Sequence, residues 1–300
     1  MTTPKPLKQG DQITLISTAR SINPDHLKLA TETFNSWGLK VLLGQNLRET
    51  SNQFAGTDEQ RAADLQQAIN DPKTKAIICF RGGYGSVRIL DHVDFSPLIN
   101  SPKWICGYSD VTVLHQKMVS MNIQSIHSTM PVNFGNNSKE ALDTFKAALF
   151  GTAYRINSPS HVKNRFGECE AEIVGGNLSI IYSLSGTDID LNTNGKILFI
   201  EDLDEYLYHI DRMMLNLKRS GKLENLKGLI VGGMTEMNDN TIPFGKSAIE
   251  IIEEAVSAYN YPVAYNFTIG HIDNNQAIKN GSLAAFKVAE IGSTISFKED

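Results

Sequence analysis

The chain predicts an α/β protein in two parts: a parallel-sheet α/β half followed by a strand-rich α+β half. Two observations carry this. Through the first 150 residues short apolar runs alternate with segments of helical spacing, the pattern of βαβ units and a mainly parallel sheet. Beyond residue 151 apolar runs dominate and helical segments are fewer. Length agrees, since 300 residues exceed the roughly 100–200 of one domain. The division is drawn at residues 1–150 and 151–300.

The elements follow in order. Residues 12–17 (QITLIS) form a short apolar run bounded by Gly-Asp and Thr-Ala-Arg. Residues 24–37 have helical spacing, with Leu27, Leu29, Phe34 and Trp37 available for a buried face. Residues 41–43 read as a second strand. Thr57-Asp-Glu-Gln60 has capping-box spacing and opens a helix to about Asn70. Residues 76–80 (AIICF) form a third, doubly covered strand. Residues 104–106 make a fourth, followed by a helix over 110–121, and 124–127 a fifth. A helix ends near Phe150, and the Ser-, Asn-, Pro- and Gly-containing stretch to Glu168 reads as the junction. Strands at 196–200, 228–231 and 283–288 then alternate with helices near 208–220 and 246–259.

Composition narrows the function. At 41% hydrophobic and 20% charged residues, a chain this long buries a large core without staples. A net charge of −5 with no clustered Lys/Arg run argues against nucleic acid or an anionic membrane as partner. The first residues lack the apolar core of a signal peptide, and no window reaches the ~18 apolar residues of a membrane span. Cys79, Cys106 and Cys169 form no CxxC pair and read as reduced thiols. A cytoplasmic location is expected.

Four segments hold candidate chemistry. In Trp104-Ile-Cys-Gly-Tyr-Ser-Asp-Val-Thr-Val-Leu-His115 an apolar strand turns at once into a helix. Such a turn projects a serine oxygen from the sheet edge beside helix N–H groups. Ser109 is then a nucleophile and the Asp110 amide an oxyanion donor, or Ser109 is simply a helix cap. Asp110 stands where the hydrolase elbow G-x-S-x-G has glycine. Arg81-Gly82-Gly83-Tyr84-Gly85 follows another strand and offers backbone N–H groups and a guanidinium to an anion. It lacks the nucleotide-loop patterns, and a plain tight turn is the competing reading. Glu201 leaves the apolar run 197–200 among Asp202, Asp204 and Glu205, and a carboxylate emerging from a buried strand needs a partner. His271 follows Gly270 in a loop, as a base or as a structural imidazole. Three H-x-D pairs (His92/Asp94, His209/Asp211, His271/Asp273) occur without a zinc-binding pattern, and no metal or cofactor is expected.

Together these segments resemble the LD-carboxypeptidase family of serine peptidases, which contains murein tetrapeptide carboxypeptidase and the microcin C immunity peptidase. The resemblance begins at Lys5-Pro-Leu-Lys-Gln-Gly-Asp11. It continues through Arg81–Gly85, Gly107-Tyr-Ser-Asp110 and Gly175-Gly-Asn-Leu178, and ends with Ile200-Glu-Asp202, Ile210-Asp-Arg212 and Gly270-His271. It implies a triad of Ser109 as nucleophile, His271 as base and Glu201 as the carboxylate that orients it. Asp110 and the Gly82-Gly83 turn would supply oxyanion donors, and Arg81 would order the substrate region. The expected fold is a flavodoxin- or class I amidotransferase-like amino-terminal domain carrying the nucleophile, with Glu and His on the second domain. The implied reaction cuts the amide to a terminal D-Ala in cytosolic muropeptides during wall recycling, by a homodimer. Two other readings are a self-immunity peptidase acting on peptide- or aminoacyl-nucleotides and a non-catalytic binder of anionic ligands.

Overall fold

The computed structural model describes residues 1–300. Its first sheet contains β1 (Gln12–Ile16), β2 (Lys40–Leu43), β3 (Thr74–Cys79), β4 (Trp104–Gly107) and β5 (Ser125–His127), all parallel. Their spatial order is β2-β1-β3-β4-β5. In that order the chain leaves β1 toward one side and β3 toward the other, which opens a crevice between their carboxyl ends.

Helices α1 (Pro24–Ser36), α2 (Asp58–Asn70), α3 (Ser86–Ile89), α4 (Pro97–Asn100), α5 (Thr112–Ser120) and α6 (Lys139–Phe150) connect and cover these strands. Two clusters fill the two faces of the sheet. One joins Leu27 and Phe34 of α1 with Phe145 and Leu149 of α6; the other joins Leu65 and Ile69 of α2 with Leu114 and Met118 of α5. The α1 stripe is narrower than its spacing suggests, because Leu29 is 41% exposed, while Trp37 packs edge-on to Phe34 at 5.2 Å. The expected capping box opens α2: the Gln60 amide donates to Thr57 Oγ1 at 3.3 Å and the Thr57 amide to Gln60 Oε1 at 2.9 Å.

The second half builds a seven-stranded mixed sheet. Its strands are β6 (Tyr154–Ser158), β7 (Gly167–Asn177), β8 (Ile197–Leu203), β9 (Gly228–Thr235), β10 (Val263–Ala264), β12 (Leu283–Ala289) and β13 (Gly292–Phe297), in the order β10-β9-β8-β7-β12-β13-β6. The stretch after residue 151 is therefore not a bare junction. It holds β6, whose partner β13 lies more than a hundred residues downstream, and so distant a pairing leaves no local periodicity. Helices α7 (Leu178–Ser183), α8 (Leu207–Arg219) and α9 (Ala248–Ala255) cover one face.

Residues of β8 divide between two cores. Leu198 and Ile200 face the helices, whereas Ile197 and Phe199 face the other way, as the period of two requires. Two contacts join the halves at this second face. Phe199 packs on His127 of β5 with ring centroids 5.1 Å apart. The short strand β11 (Ile278–Asn280), from the second half, adds antiparallel to β5 and pairs Ile278 with His127.

Candidate active site

Ser109 stands between β4 and α5 with φ of 62°, a left-handed conformation that costs an L-residue free energy and persists only where the surroundings fix it. Several bonds fix it. The Gly107 carbonyl accepts the His115 Nε2–H at 2.8 Å and the Ser128 amide at 3.1 Å. A carbonyl only accepts, so His115 carries its proton on Nε2, leaving Nδ1 to accept from Ser125 Oγ at 2.8 Å. Burial lowers the His115 pKa to about 4, which keeps the ring neutral in this role. Asp110 Oδ2 accepts the Ser86 amide at 2.8 Å, and Tyr108 Oη accepts Asn133 Nδ2–H at 2.6 Å.

The loop after β3 passes directly over the serine. A Cβ on Gly82 would lie 3.2 Å from Ser109 Cβ and 3.3 Å from its Oγ, so glycine leaves room for a reacting group. Neither Gly82 nor Gly83 donates its backbone N–H to another group of the chain. Unpaired N–H groups beside a hydroxyl are what a developing oxyanion needs. The Asp110 amide, in the first turn after the serine, belongs to the N–H groups that a helix start leaves without helical partners. Arg81 points away from the serine: its Nη1 donates to the Ser21 carbonyl at 2.9 Å.

Glu201 and His271 arrive from the second half. Glu201 lies within β8, two residues before its end, and is completely buried; the sequence placed it at the strand's end. His271 follows Gly270, where a Cβ would come within 2.6 Å of Glu201 Cβ, so only glycine permits this approach. The Gly270 amide donates to Asn275 Oδ1 at 2.8 Å, and the His271 carbonyl accepts from Thr235 Oγ1 at 3.2 Å. The imidazole then bridges the two halves of the molecule. Its Nδ1 lies 2.6 Å from Glu201 Oε2 and its Nε2 3.1 Å from Ser109 Oγ. A carboxylate can only accept, so the proton on Nδ1 faces Glu201 and the Nε2 lone pair faces the serine. Burial opposes a charge on His271, but the charge and hydrogen bond of Glu201 outweigh it and raise the imidazole above its ordinary pKa. The Tyr108 ring closes one side, 4.8 Å from the imidazole.

Three features were not legible in the sequence. Asp202, with its side chain turned away from the histidine, accepts Asn177 Nδ2–H, the Ser179 amide and the Leu203 amide at 2.8, 2.8 and 2.9 Å. The Asn177 amide donates to Thr112 Oγ1 at 3.0 Å, so these bonds join β8 to α5 behind the serine. His115, the last residue of the serine segment, supports the turn, a role its sequence position did not reveal. Arg20, in the loop after β1, lies across Gly83. Asp202 and His115 are near neighbours of Glu201 and Ser109 in the chain, whereas Arg20 reaches the site only because β1 lies beside β3. Of the three H-x-D pairs, His209 bonds Glu205 rather than Asp211, at 2.6 Å. No group of three or more His, Cys, Asp or Glu is arranged to hold a metal ion.

A doubly wound sheet that presents a hydrogen-bonded serine–histidine–glutamate chain has the arrangement of a serine hydrolase. Comparison with known proteins is more specific. A family model described as the LD-carboxypeptidase N-terminal domain matches residues 13–128, and its C-terminal counterpart matches residues 170–286. The chain is 33% identical over 297 residues to the probable murein peptide carboxypeptidase of Bacillus subtilis, covering 96% of this chain and 92% of that one. It is 26% identical over 288 residues to the murein tetrapeptide carboxypeptidase of Pseudomonas aeruginosa, covering 92% and 93%. The crystal structure of muramoyltetrapeptide carboxypeptidase from Oxalobacter formigenes superposes with a TM-score of 0.87 at 26% identity, over 96% and 99% of the two chains. MccF in complex with glutamyl sulfamoyl guanosine gives a TM-score of 0.85 at 20% identity, over 98% of each chain, a likeness of fold. The chain belongs to the LD-carboxypeptidase family of serine peptidases.

Proposed function

We propose that this protein is a serine-type LD-carboxypeptidase that hydrolyses the amide bond to a terminal D-Ala in cytosolic muropeptides. The observation that carries the reading is the unbroken chain Ser109 Oγ–His271–Glu201, at 3.1 and 2.6 Å. His271 Nε2 takes the serine proton as Oγ attacks the scissile carbonyl carbon. The negative charge that develops on the carbonyl oxygen is met by the Asp110 amide and by one from Gly82 or Gly83. His271 then gives its proton to the leaving nitrogen, the C–N bond breaks, and D-Ala departs as the amine. Water, deprotonated by the same imidazole, opens the acyl-serine ester and restores the hydroxyl. Glu201 keeps the ring in the needed tautomer and balances the imidazolium, and Arg81 secures the substrate-side loop.

In this reading the nucleophile belongs to residues 1–150 and its acid–base partners to residues 151–300, so hydrolysis needs both. The enzyme would act in the cytoplasm as a homodimer, and the chemistry requires no metal or cofactor. No helix is long and apolar enough to cross a membrane. The murein peptide names of its relatives support the substrate class. The test is to incubate the purified protein with a tetrapeptide ending in D-Ala, beside Ser109→Ala. D-Ala release by the wild type alone is expected; no release by the wild type overturns the reading.

One observation favours a second substrate class, aminoacyl- or peptide-nucleotides. Beyond β8, Tyr206 and Tyr208 are exposed, with rings 5.5 Å apart, and an exposed aromatic pair is a platform on which a base can stack. An acyl-sulfamate nucleotide cleaved in preference to the muropeptide would favour this class.

A further inference from the structure

Two guanidinium groups stand at the crevice between β1 and β3, and neither is in an ion pair with an acid of the chain. Arg20 is four residues past the end of β1, and Arg81 is two past the end of β3. The side chains cross. Arg81 reaches back to the carbonyl of Ser21 at 2.9 Å, while the Arg20 stem lies over Gly83, where a Cβ would fall 2.6 Å from Arg20 Cδ.

The two arginines differ in how they are held. Arg81 is half-buried, its Nε is enclosed without a hydrogen-bond partner, and its pKa is lowered by burial and by the charge of Arg20. Arg20 has a pinned backbone: its carbonyl accepts from Ser17 Oγ at 2.7 Å, and it bridges to Phe54. Its side chain is exposed and is committed to no carboxylate of the chain. Two like charges held close in a sheet-edge crevice repel each other unless an anion sits between them or beside them.

Position identifies the anion. Ser109 follows β4, the neighbour of β3, and Gly82 separates the serine from the arginine crevice. Adjacent strands are about 4.8 Å apart. In a substrate cut before its last residue, the terminal carboxylate lies three bonds from the scissile carbonyl carbon. A carbonyl over Ser109 thus leaves that carboxylate about one strand spacing away, and the residue beyond Gly82 on the β3 side is Gly83, against which the Arg20 stem lies.

We propose that Arg20 is the residue that binds the free terminal carboxylate of the substrate and so makes the enzyme a carboxypeptidase rather than an endopeptidase, with Arg81 holding the loop on which it rests. This rests on the hydrolytic reading of Ser109. The guanidinium would donate two N–H groups to the two carboxylate oxygens, a geometry that an amidated or extended chain end cannot match.

The test uses the full-length protein, a murein-type tetrapeptide ending in D-Ala, and the same peptide ending in D-alaninamide. Release of D-Ala or D-alaninamide is measured for wild type, Arg20→Gln and Arg20→Lys. The wild type is expected to prefer the free acid. Arg20→Gln should lower kcat/KM on the acid by about 10- to 100-fold, the worth of a charge-assisted pair, leave the amide rate unchanged, and so erase the preference. Arg20→Lys should recover part of it. An unchanged acid rate in Arg20→Gln, or equal losses on both peptides, overturns the assignment while leaving the serine chemistry standing. If the wild type cleaves neither peptide, the hydrolytic reading itself falls and this inference with it.

Discussion

Ser109 and Glu201 are both fixed, but by opposite means. The serine is held by its backbone, in a left-handed conformation secured by bonds to Gly107, Tyr108 and Asp110, while its side chain meets only His271. The glutamate is in ordinary strand backbone, and its Oε1 is buried without a partner. Its one side-chain hydrogen bond is to His271. The first half thus stores strain in a turn, whereas the second buries a charge that only the imidazole satisfies. The same histidine serves one region as a chemical partner and the other as a structural one. Activity and stability should therefore respond differently to substitutions on the two sides.

The largest effect expected is on rate alone. Ser109→Ala removes a hydroxyl that supports no part of the fold, so D-Ala release should fall by about 10^4-fold or more with an unchanged melting temperature. Ser109→Gly should fall as far and gain roughly 1 kcal/mol of stability, because glycine accepts the positive φ without strain. Thermal unfolding of the three proteins checks this. A glycine variant less stable than wild type would remove strain from the comparison.

On the other side, loss of activity and loss of stability should come together. His271→Ala leaves Glu201 with no hydrogen-bond partner at a fully buried position, and breaking such a pair costs about 3 kcal/mol. Glu201→Gln keeps a neutral group in the same space and should cost less. Denaturant unfolding of both variants tests the order. If His271→Ala is as stable as wild type, Glu201 is satisfied by something other than the imidazole.

A smaller effect should appear in the pH profile. In the proposed mechanism His271 must be neutral to accept the serine proton, and Glu201 raises its pKa above the ordinary 6.5. In wild type, kcat/KM should then rise with pH through an inflection above that value. The raised pKa also means that the pair's contribution to stability is complete below about pH 6.5 and declines as pH passes through the folded-state pKa. In Glu201→Gln the inflection should move to lower pH by about one unit, on a much lower plateau. An inflection that does not move would separate the carboxylate from the titration of the ring.

How much could be read beforehand differs between the same two regions. Ser109, Glu201 and His271 each stand next to a local signal, a strand-to-helix turn, an acidic residue in an apolar run, or a Gly-His loop, and the family resemblance joined them. The parallel half was legible because each βαβ unit is local. The strand β6 within the junction stretch was missed, because it finds its partner only after more than a hundred residues. Leu29 shows the same limit on a smaller scale, since helical spacing identifies a stripe but not its edges. Arg20 carried no motif. It reaches the site only because β1 lies beside β3, and strand order is a long-range property that no window of sequence contains.

Asp202 provides the smallest and most discriminating test of the comparison. It follows Glu201 directly, yet three N–H donors satisfy it, so it resembles the well-bonded serine side more than its neighbour. Burial, then the charge of Glu201, pushes its pKa up to about 7, against the pull of the donors from Leu203 and Asn177. A carboxyl raised in the folded state stabilises fully below the unfolded value, near 3.8, and loses that contribution as pH climbs toward 7. Asp202→Asn removes the titration and turns one acceptor into a donor facing an N–H. Its stability cost should be about 1–3 kcal/mol and larger at pH 4.5 than at pH 7.5, with a rate change of less than about tenfold. Urea unfolding at the two pH values measures it. A cost that grows with pH instead would mean that the three donors hold Asp202 ionised throughout, and that bonding rather than burial governs this side of the site as well.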